Sequence, residues 1–377
     1  MSQAYPSTIL MTADPIGGVW TYALELAKGL APYGTHIHLA TMGAPLSAAQ
    51  WQQTRALPHV TVHESTFQLE WMADPWADVA AAGEWLLALE TELQPDVVHL
   101  NNLVHGHLPW RCPVLVVVHS CVLSWWQAVK GEAAPAEWAL YQAAVRRSLQ
   151  AADWVVAPTA ALLLKAAELY GPFRQQAVVY NGLDAPAGRP VPKEPFILAM
   201  GRVWDEAKNL TLLAEAAAHL PWPVYLAGNA EHPTTGQVVA LPNVHFLGHL
   251  PAQEAAAWLS RATIYALPAK YEPFGLTLLE AALAGCALVA GDLATLREVW
   301  GEAACYVNPH AGNSLREALH TLIATPTRRH ELAARAQQQA ARYSTARMVA
   351  GYGQLYHRLG GAAQLHQQPG HLDFLFL

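Results

Sequence analysis

Glu272-Pro273-Phe274-Gly275-Leu276-Thr277-Leu278-Leu279-Glu280 sets two carboxylates eight positions apart, with a proline, a phenylalanine and a glycine between them. Pro273 and Gly275 interrupt regular structure, which places Glu272 in a loop. The leucines and alanines that follow are good helix formers, and Gly285 suits the position just past a helix end, so a short helix is predicted over 277–284. Glu280 then lies in or near its first turn. Loop amides beside a helix N-terminus favour an anion. A phosphorylated ligand there would have a carboxylate on either side to accept hydrogen bonds from hydroxyl groups. Taken alone, two glutamates at this spacing are more often a solvated loop residue and a solvated helix face.

Working outward, the short helix has a strand-like run before it (264–267) and another after it (287–290). The same alternation runs through the chain. Strands are predicted at 8–12, 37–41, 60–63, 97–100, 114–119, 154–157 and 177–180. Helices are predicted at 20–31, 77–92, 137–150 and 160–170. A Pro/Gly-rich stretch, 184–195, interrupts the pattern and reads as an interdomain linker. The alternation then restarts, with strands at 196–200, 224–227 and 244–247 and helices at 210–220 and 252–260. Three polar helices close the chain, at 314–324, 327–343 and 346–359. Repeated βα units imply mostly parallel sheets. Two doubly wound α/β domains are therefore expected, over 1–184 and 185–344, facing each other across a cleft. In such folds ligands bind at the carboxyl ends of the strands. The apolar tail, 372–377, has no assigned role.

Composition narrows the function classes. The 377 residues are 53% hydrophobic and 14% charged, ample material for two buried cores. No apolar run approaches the roughly 18 residues of a membrane span, and the N-terminus lacks the basic region of a signal peptide. Cys112, Cys121, Cys286 and Cys305 form no CxxC, which points to free thiols, a reducing compartment and a cytoplasmic location. A net charge of -7 argues against a general nucleic-acid binder. Eighteen histidines invite a metal hypothesis. The best cluster is His99, His105, His107 and His119, but it has no nearby acidic residue and no His-x3-His pair, so core or surface histidines are the better reading.

Several other stretches carry chemistry. Gly17-Gly18 lies between a predicted strand and helix, where backbone amides can approach an anion. It is not the GxGxxG of dinucleotide enzymes. Gly201-Arg202 ends a strand, and Lys208-Asn209 precedes a helix, with Asn209 suited to cap it. Arg202 and Lys208 on one loop can clamp a diphosphate, the first as a planar fork and the second as a point charge. His119 closes the run 114–118 at a strand's carboxyl end. Tyr180-Asn181-Gly182-Leu183-Asp184 reads first as a turn. Trp125-Trp126, with Trp71 and Trp76, are candidates for an aromatic acceptor platform, though a partly buried aromatic is the commoner outcome.

Together these stretches resemble the signature of the GT-B retaining glycosyltransferases of family 4, and the resemblance covers nearly the whole chain. It implies a helix at the chain end that crosses back onto the N-terminal domain. It also implies a nucleotide-sugar donor (UDP-, GDP- or ADP-linked), a carbohydrate, lipid-linked or small-molecule acceptor, and no metal or other cofactor. No Asp-x-Asp, the usual manganese handle of the other major glycosyltransferase fold, occurs in the chain. By the same resemblance, Glu272 holds the donor sugar, Glu280 the ribose, and Arg202 and Lys208 the leaving diphosphate. Gly17, Gly18, Gly201, Phe274, Gly275, Leu276 and Thr277 line the donor, and His119 touches the donor sugar near its 6-hydroxyl. The chain departs from the family at 292–298, where a Gly-rich Pro-Glu segment is usual, and at 305–309. A sugar-nucleotide epimerase, a phosphorylase-like relative and an inactive partner subunit of the same fold are the alternatives. Peripheral membrane contact and oligomeric state stay open.

Overall fold

The computed structural model describes residues 5–185, 191–231, 236–362 and 375–376. It divides into two units. One comprises Met1–Gln127, Glu132–Gly182 and Thr345–Leu377, the other Ala128–Gly131 and Leu183–Ser344. The 184–195 stretch lies partly outside the described residues.

The first unit is built on β1 (Thr8–Ala13), β2 (His36–Thr41), β3 (Val60–Glu64), β4 (Val97–Leu100), β5 (Val114–Val117), β6 (Trp154–Ala157) and β7 (Gln176–Val178). The second is built on β8 (Glu194–Met200), β9 (Val224–Ala227), β10 (His245–Gly248), β11 (Ala262–Leu267), β12 (Ala287–Gly291) and β13 (Cys305–Val307). A two-residue strand, β14 (Leu375–Phe376), lies in the apolar tail and pairs with β7. The sheet orders are β14-β7-β6-β5-β4-β1-β2-β3 and β10-β9-β8-β11-β12-β13. All ladder pairs are parallel. Residues 114–118 and 262–267 are buried without interruption. That is the pattern of strands covered on both faces, and it explains why their sequence reads as continuous apolar runs rather than an alternation.

In the first unit, helices Gly18–Leu30 and Thr345–Ala362 pack on one face of the sheet. Their contact is close at Gly29, where an added Cβ would stand 2.5 Å from Val349 Cγ2. The aromatic side of this packing surrounds His99. The Tyr22 hydroxyl is 3.1 Å from its Nε2 and the Tyr356 hydroxyl 2.8 Å from its Nδ1. Helix Thr345–Ala362 therefore contributes directly to the core of the first unit.

Three helices and one strand depart from the sequence reading: Ala48–Arg55, Val122–Lys130, Ala294–Trp300 and β13. Ala48–Arg55 had a legible signal. Ser47 accepts from the Gln50 amide while the Gln50 side chain accepts from the Ser47 amide, a complete capping box. Val122–Lys130 is the helix that carries the Trp125-Trp126 pair. The strand expected over 114–119 ends at Val117, so His119 stands in the loop two residues beyond it.

Burial keeps several histidines of the first unit neutral. It lowers His99 and His119 to about 3 and His105 to about 4, from an ordinary 6.5. A histidine lowered in the folded state contributes stability above its unfolded pKa, and that stability is lost as pH falls toward the folded value. The melting temperature should hold above pH 6.5 and fall steadily between pH 6.5 and 4. A melting temperature constant from pH 7.5 to 4.5 would contradict this. A second expectation concerns packing. Gly29→Leu overpacks a helix contact, which costs about 1–3 kcal/mol. Adding Val349→Ala should recover part of that loss in a thermal melt.

Candidate active site

In the second unit the chain must leave β8, β9, β11 and β12 at their carboxyl ends, and glycines let those exits crowd together. Gly228, just past β9, lies so close to the exit of β8 that a Cβ on it would stand 1.8 Å from the Gly201 carbonyl oxygen. A Cβ on Gly291, at the end of β12, would stand 2.1 Å from the Ala269 carbonyl oxygen. Only glycine permits either approach. The Lys270 amide donates to the Ala207 carbonyl at 2.8 Å, which joins the β11 loop to the β8 loop.

Within this crowded edge, Lys208 Nζ donates to Glu272 Oε2 at 2.6 Å. The other oxygen of Glu272, Oε1, accepts from the Gly275 amide at 3.1 Å. The Thr295 hydroxyl donates to the Glu272 backbone carbonyl at 2.6 Å. Glu272 is only 9% exposed, and a carboxylate that buried needs such partners. Gly275 makes the turn possible with φ of 86°, and a Cβ there would meet Leu278 Cδ1 at 2.9 Å. Helix Leu276–Leu283 starts at this point without a side-chain cap. Its far end closes with the Gly285 amide on Ala282 and the Cys286 amide on Ala281, a Schellman arrangement with Gly285 at φ 80°. Thr277 and Glu280 lie half-buried along the helix. The buried Tyr265 hydroxyl engages the Thr277 side chain and lies 3.2 Å from the Met200 carbonyl oxygen.

The two cations of the loop after β8 meet different carboxylates. Arg202 Nη2 donates to Asp205 Oδ2 at 2.6 Å, and its guanidinium lies 5.2 Å from the Trp204 ring. Burial raises the pKa of Asp205, but the charges of Arg202 and Lys208 and the Ala207 amide outweigh it and hold the carboxyl below its usual range. Asp205 thus lies in the field of both cations.

One sequence-level expectation changes here. Asn209 occupies the position before helix Leu210–Ala217 but makes no capping bond, because its backbone is left-handed at φ 56°. Its side chain donates instead to the carbonyls of Pro268 and Pro309 at 2.9 and 2.7 Å, tying the loops after β11 and β13. Phe274 is buried, with its ring edge-on to Tyr343 at 5.7 Å. It anchors the loop, and its side chain packs in the core of the unit.

In the first unit, Gly17 precedes helix Gly18–Leu30 with φ of 90°, and the Ile16 amide donates to Asp14 Oδ1. His119 is half-buried, and its Nε2 lies 2.8 Å from Asn101 Oδ1. His105 has both ring nitrogens engaged, by Asn102 and by the Val79 carbonyl. It has no lone pair left for a metal. Among the described residues, no group of three or more His, Cys, Asp or Glu could hold a metal ion. Trp125 and Trp126 sit edge-to-face at 79°. Perpendicular rings do not form one flat stacking platform.

Asp205, Thr295, Asn101 and Tyr265 were missed from the sequence. Thr295, Asn101 and Tyr265 act through partners that follow or end another strand, so no local spacing announces them. Asp205 alone had a signal, three residues after Arg202.

Comparison with known proteins bears on this arrangement. The chain matches the model of Glycosyltransferase Family 4 over residues 16–185 and that of Glycosyl transferases group 1 over residues 194–325. Glycogen synthase of Mycobacterium tuberculosis (strain ATCC 25618 / H37Rv) is 28% identical, covering 74% of this chain and 73% of that one. Sucrose-phosphate synthase from Thermosynechococcus elongatus superposes with a TM-score of 0.78 at 19% identity, covering 94% of this chain and 100% of that one. Anabaena HepE in complex with UDP-glucose superposes with a TM-score of 0.69 at 19% identity, covering 93% and 99%. With both halves matched to one enzyme family and both built on parallel sheets, the chain belongs to the family 4 glycosyltransferases and has their GT-B fold.

Proposed function

We propose that this glycosyltransferase moves a sugar from a nucleotide-sugar donor to an acceptor hydroxyl, with retention of anomeric configuration and without a metal ion. The carrying observation is the pairing of Lys208 with Glu272 beside the uncapped start of helix Leu276–Leu283. That arrangement puts a cation, open-turn amides and a carboxylate within one small region. The reading assigns Arg202, Lys208, the Gly201 loop and the first-turn amides to the leaving diphosphate, where they stabilise charge as the glycosidic bond breaks. Glu280 binds the ribose. Glu272 orients sugar hydroxyls.

Glu272 is a poor nucleophile as held, because both its oxygens already accept hydrogen bonds. Such donors stabilise the carboxylate and lower its reactivity. The reading therefore takes a dissociative route, in which a phosphate oxygen on the acceptor's face removes the acceptor proton. The four free thiols fit work in the reducing cytoplasm.

UDP-glucose, ADP-glucose and GDP-mannose are the first donors to try. Incubation of each with and without candidate acceptors tests the reading. Conversion of donor to an isomeric nucleotide sugar without acceptor would favour an epimerase instead, and dependence on inorganic phosphate a phosphorylase.

The two glutamates should fail differently. A hydrogen bond to a charged group contributes about 1.5–3 kcal/mol, roughly tenfold to a hundredfold in affinity. Glu280→Gln should weaken the free nucleoside diphosphate by that factor in calorimetry. Glu272→Gln should leave nucleotide affinity near normal and lower kcat, since sugar orientation matters most in the transition state. The reverse pattern would exchange the two assignments. Turnover should also persist in excess EDTA; loss that manganese or magnesium restores would overturn the metal-free mechanism.

A further inference from the structure

We propose that Asn101 is a positioning residue that holds His119 neutral, with its proton on Nε2 and its lone pair on Nδ1, so that His119 accepts a hydrogen bond from a sugar hydroxyl of the substrate.

The argument starts from a carbonyl. Asn101 Nδ2 lies 2.7 Å from the Thr12 backbone oxygen. A carbonyl only accepts, so this side of the Asn101 amide is its NH2 group. Its Oδ1 therefore faces His119 Nε2, at 2.8 Å. An amide oxygen also only accepts, so Nε2 must carry the proton. Reversing the amide would set oxygen against oxygen at Thr12. Moving the imidazole proton would set lone pair against lone pair at Asn101. Each mismatch leaves a buried polar pair unsatisfied and repelling, at a cost of about 1–3 kcal/mol or more.

The rest of the network closes around this choice. The Asn101 amide donates to Thr12 Oγ1 at 2.8 Å, and that hydroxyl donates to Asn102 Oδ1 at 3.0 Å. Asn102 Nδ2 then donates to His105 Nδ1, and His105 Nε2 to the Val79 carbonyl. Thr12, Asn101 and Asn102 are all buried. They stand at the carboxyl ends of β1 and β4, and His119 stands just past β5, the next strand in the sheet. Every donor and acceptor in the relay has one consistent role.

Nδ1 of His119 has no hydrogen-bond partner among the described residues, and the residue as a whole keeps part of its surface exposed. Tyr22 packs edge-on against it at 4.5 Å, and His99, Tyr352 and Tyr356 are the other titratable groups of this ring cluster. Burial holds the three tyrosine hydroxyls protonated and His99 uncharged, so none supplies a charge that would favour an imidazolium. Burial likewise keeps His119 itself neutral, with its pKa lowered to about 3. A neutral ring with this tautomer offers only a lone pair. It accepts from a hydroxyl, gives nothing to a deoxy position and repels a carboxylate. The inference rests on the transferase reading for the identity of the hydroxyl's owner, but the proton's location on the ring is independent of it.

The test uses the full chain labelled with 15N-histidine, with His119→Gln identifying the His119 signals. Nε2–H neutral imidazole at pH 7 in the wild type is expected; Nδ1–H or imidazolium would overturn the proposal. Asn101→Asp supplies a carboxylate in place of the amide oxygen and should convert His119 to imidazolium at pH 7. His119→Gln keeps a donor toward Asn101 and removes the acceptor. It should melt near the wild-type temperature yet lose at least tenfold in kcat with whichever of UDP-glucose, ADP-glucose and GDP-mannose the wild type turns over. With that donor, Asn101→Asp should gain a pH limb absent from the wild type between pH 6 and 8, its kcat/KM rising as pH rises. Unchanged turnover in His119→Gln would overturn the hydroxyl-accepting role, even with the expected tautomer. If no donor is turned over by the wild type, the transferase reading fails, while the NMR result still decides where the proton sits.

Discussion

Parallel strands covered on both faces leave one place for polar chemistry, the edge where the chain leaves the sheet. In this protein that constraint acts twice. The central strands of both units are buried and mostly apolar along their length, so charged and hydrogen-bonding side chains collect just past the carboxyl ends. In the second unit the exits of β8, β9, β11 and β12 come close enough for cross-strand contacts only because Gly228 and Gly291 lack a Cβ. The Lys208–Glu272 pair bridges the loops after β8 and β11, which are direct neighbours in the sheet. The bond from the Lys270 amide to the Ala207 carbonyl joins the same two loops.

The electrostatics follow from the crowding. A carboxylate as buried as Glu272 would be costly alone, and it is held by an ammonium, an amide and, through its own backbone, the Thr295 hydroxyl. Arg202 is held in the same way by Asp205. Cations fixed beside carboxylates lose little further freedom when an anion arrives, which is the sense in which such a site is preorganised. In the first unit the carboxyl edge carries carboxylates, Asp14, Glu64 and Glu70, each accepting from a backbone amide, beside a neutral network. Thr12, Asn101, Asn102 and His105 satisfy one another with neutral donors and acceptors, and the histidines there stay unprotonated because burial penalises the charged form.

The legibility of these features differed by how local they are. Repeating βα units, the loop-then-helix at Glu272–Glu280 and the cations at Arg202 and Lys208 were visible, because each is a short-range pattern of periodicity or turn residues. Helix Ala48–Arg55 was equally local and was passed over despite its capping box. Asn209 misled, because a good capping residue in a left-handed conformation directs its side chain elsewhere.

What the sequence determined by itself was the kind of structure and the kind of site: two α/β units, a carboxylate pair flanking a helix start, and cations on a strand-end loop. These follow from hydrophobic periodicity and backbone preferences, which act over a few residues. What only the tertiary structure decided was which groups pair and which proton state each adopts. Thr295 bracing Glu272, Asp205 holding Arg202 and Asn101 setting the His119 tautomer all join loops that lie apart in sequence or turn on a side-chain direction. A hydrogen bond reads distance and orientation in space, and sheet order, not chain order, sets those.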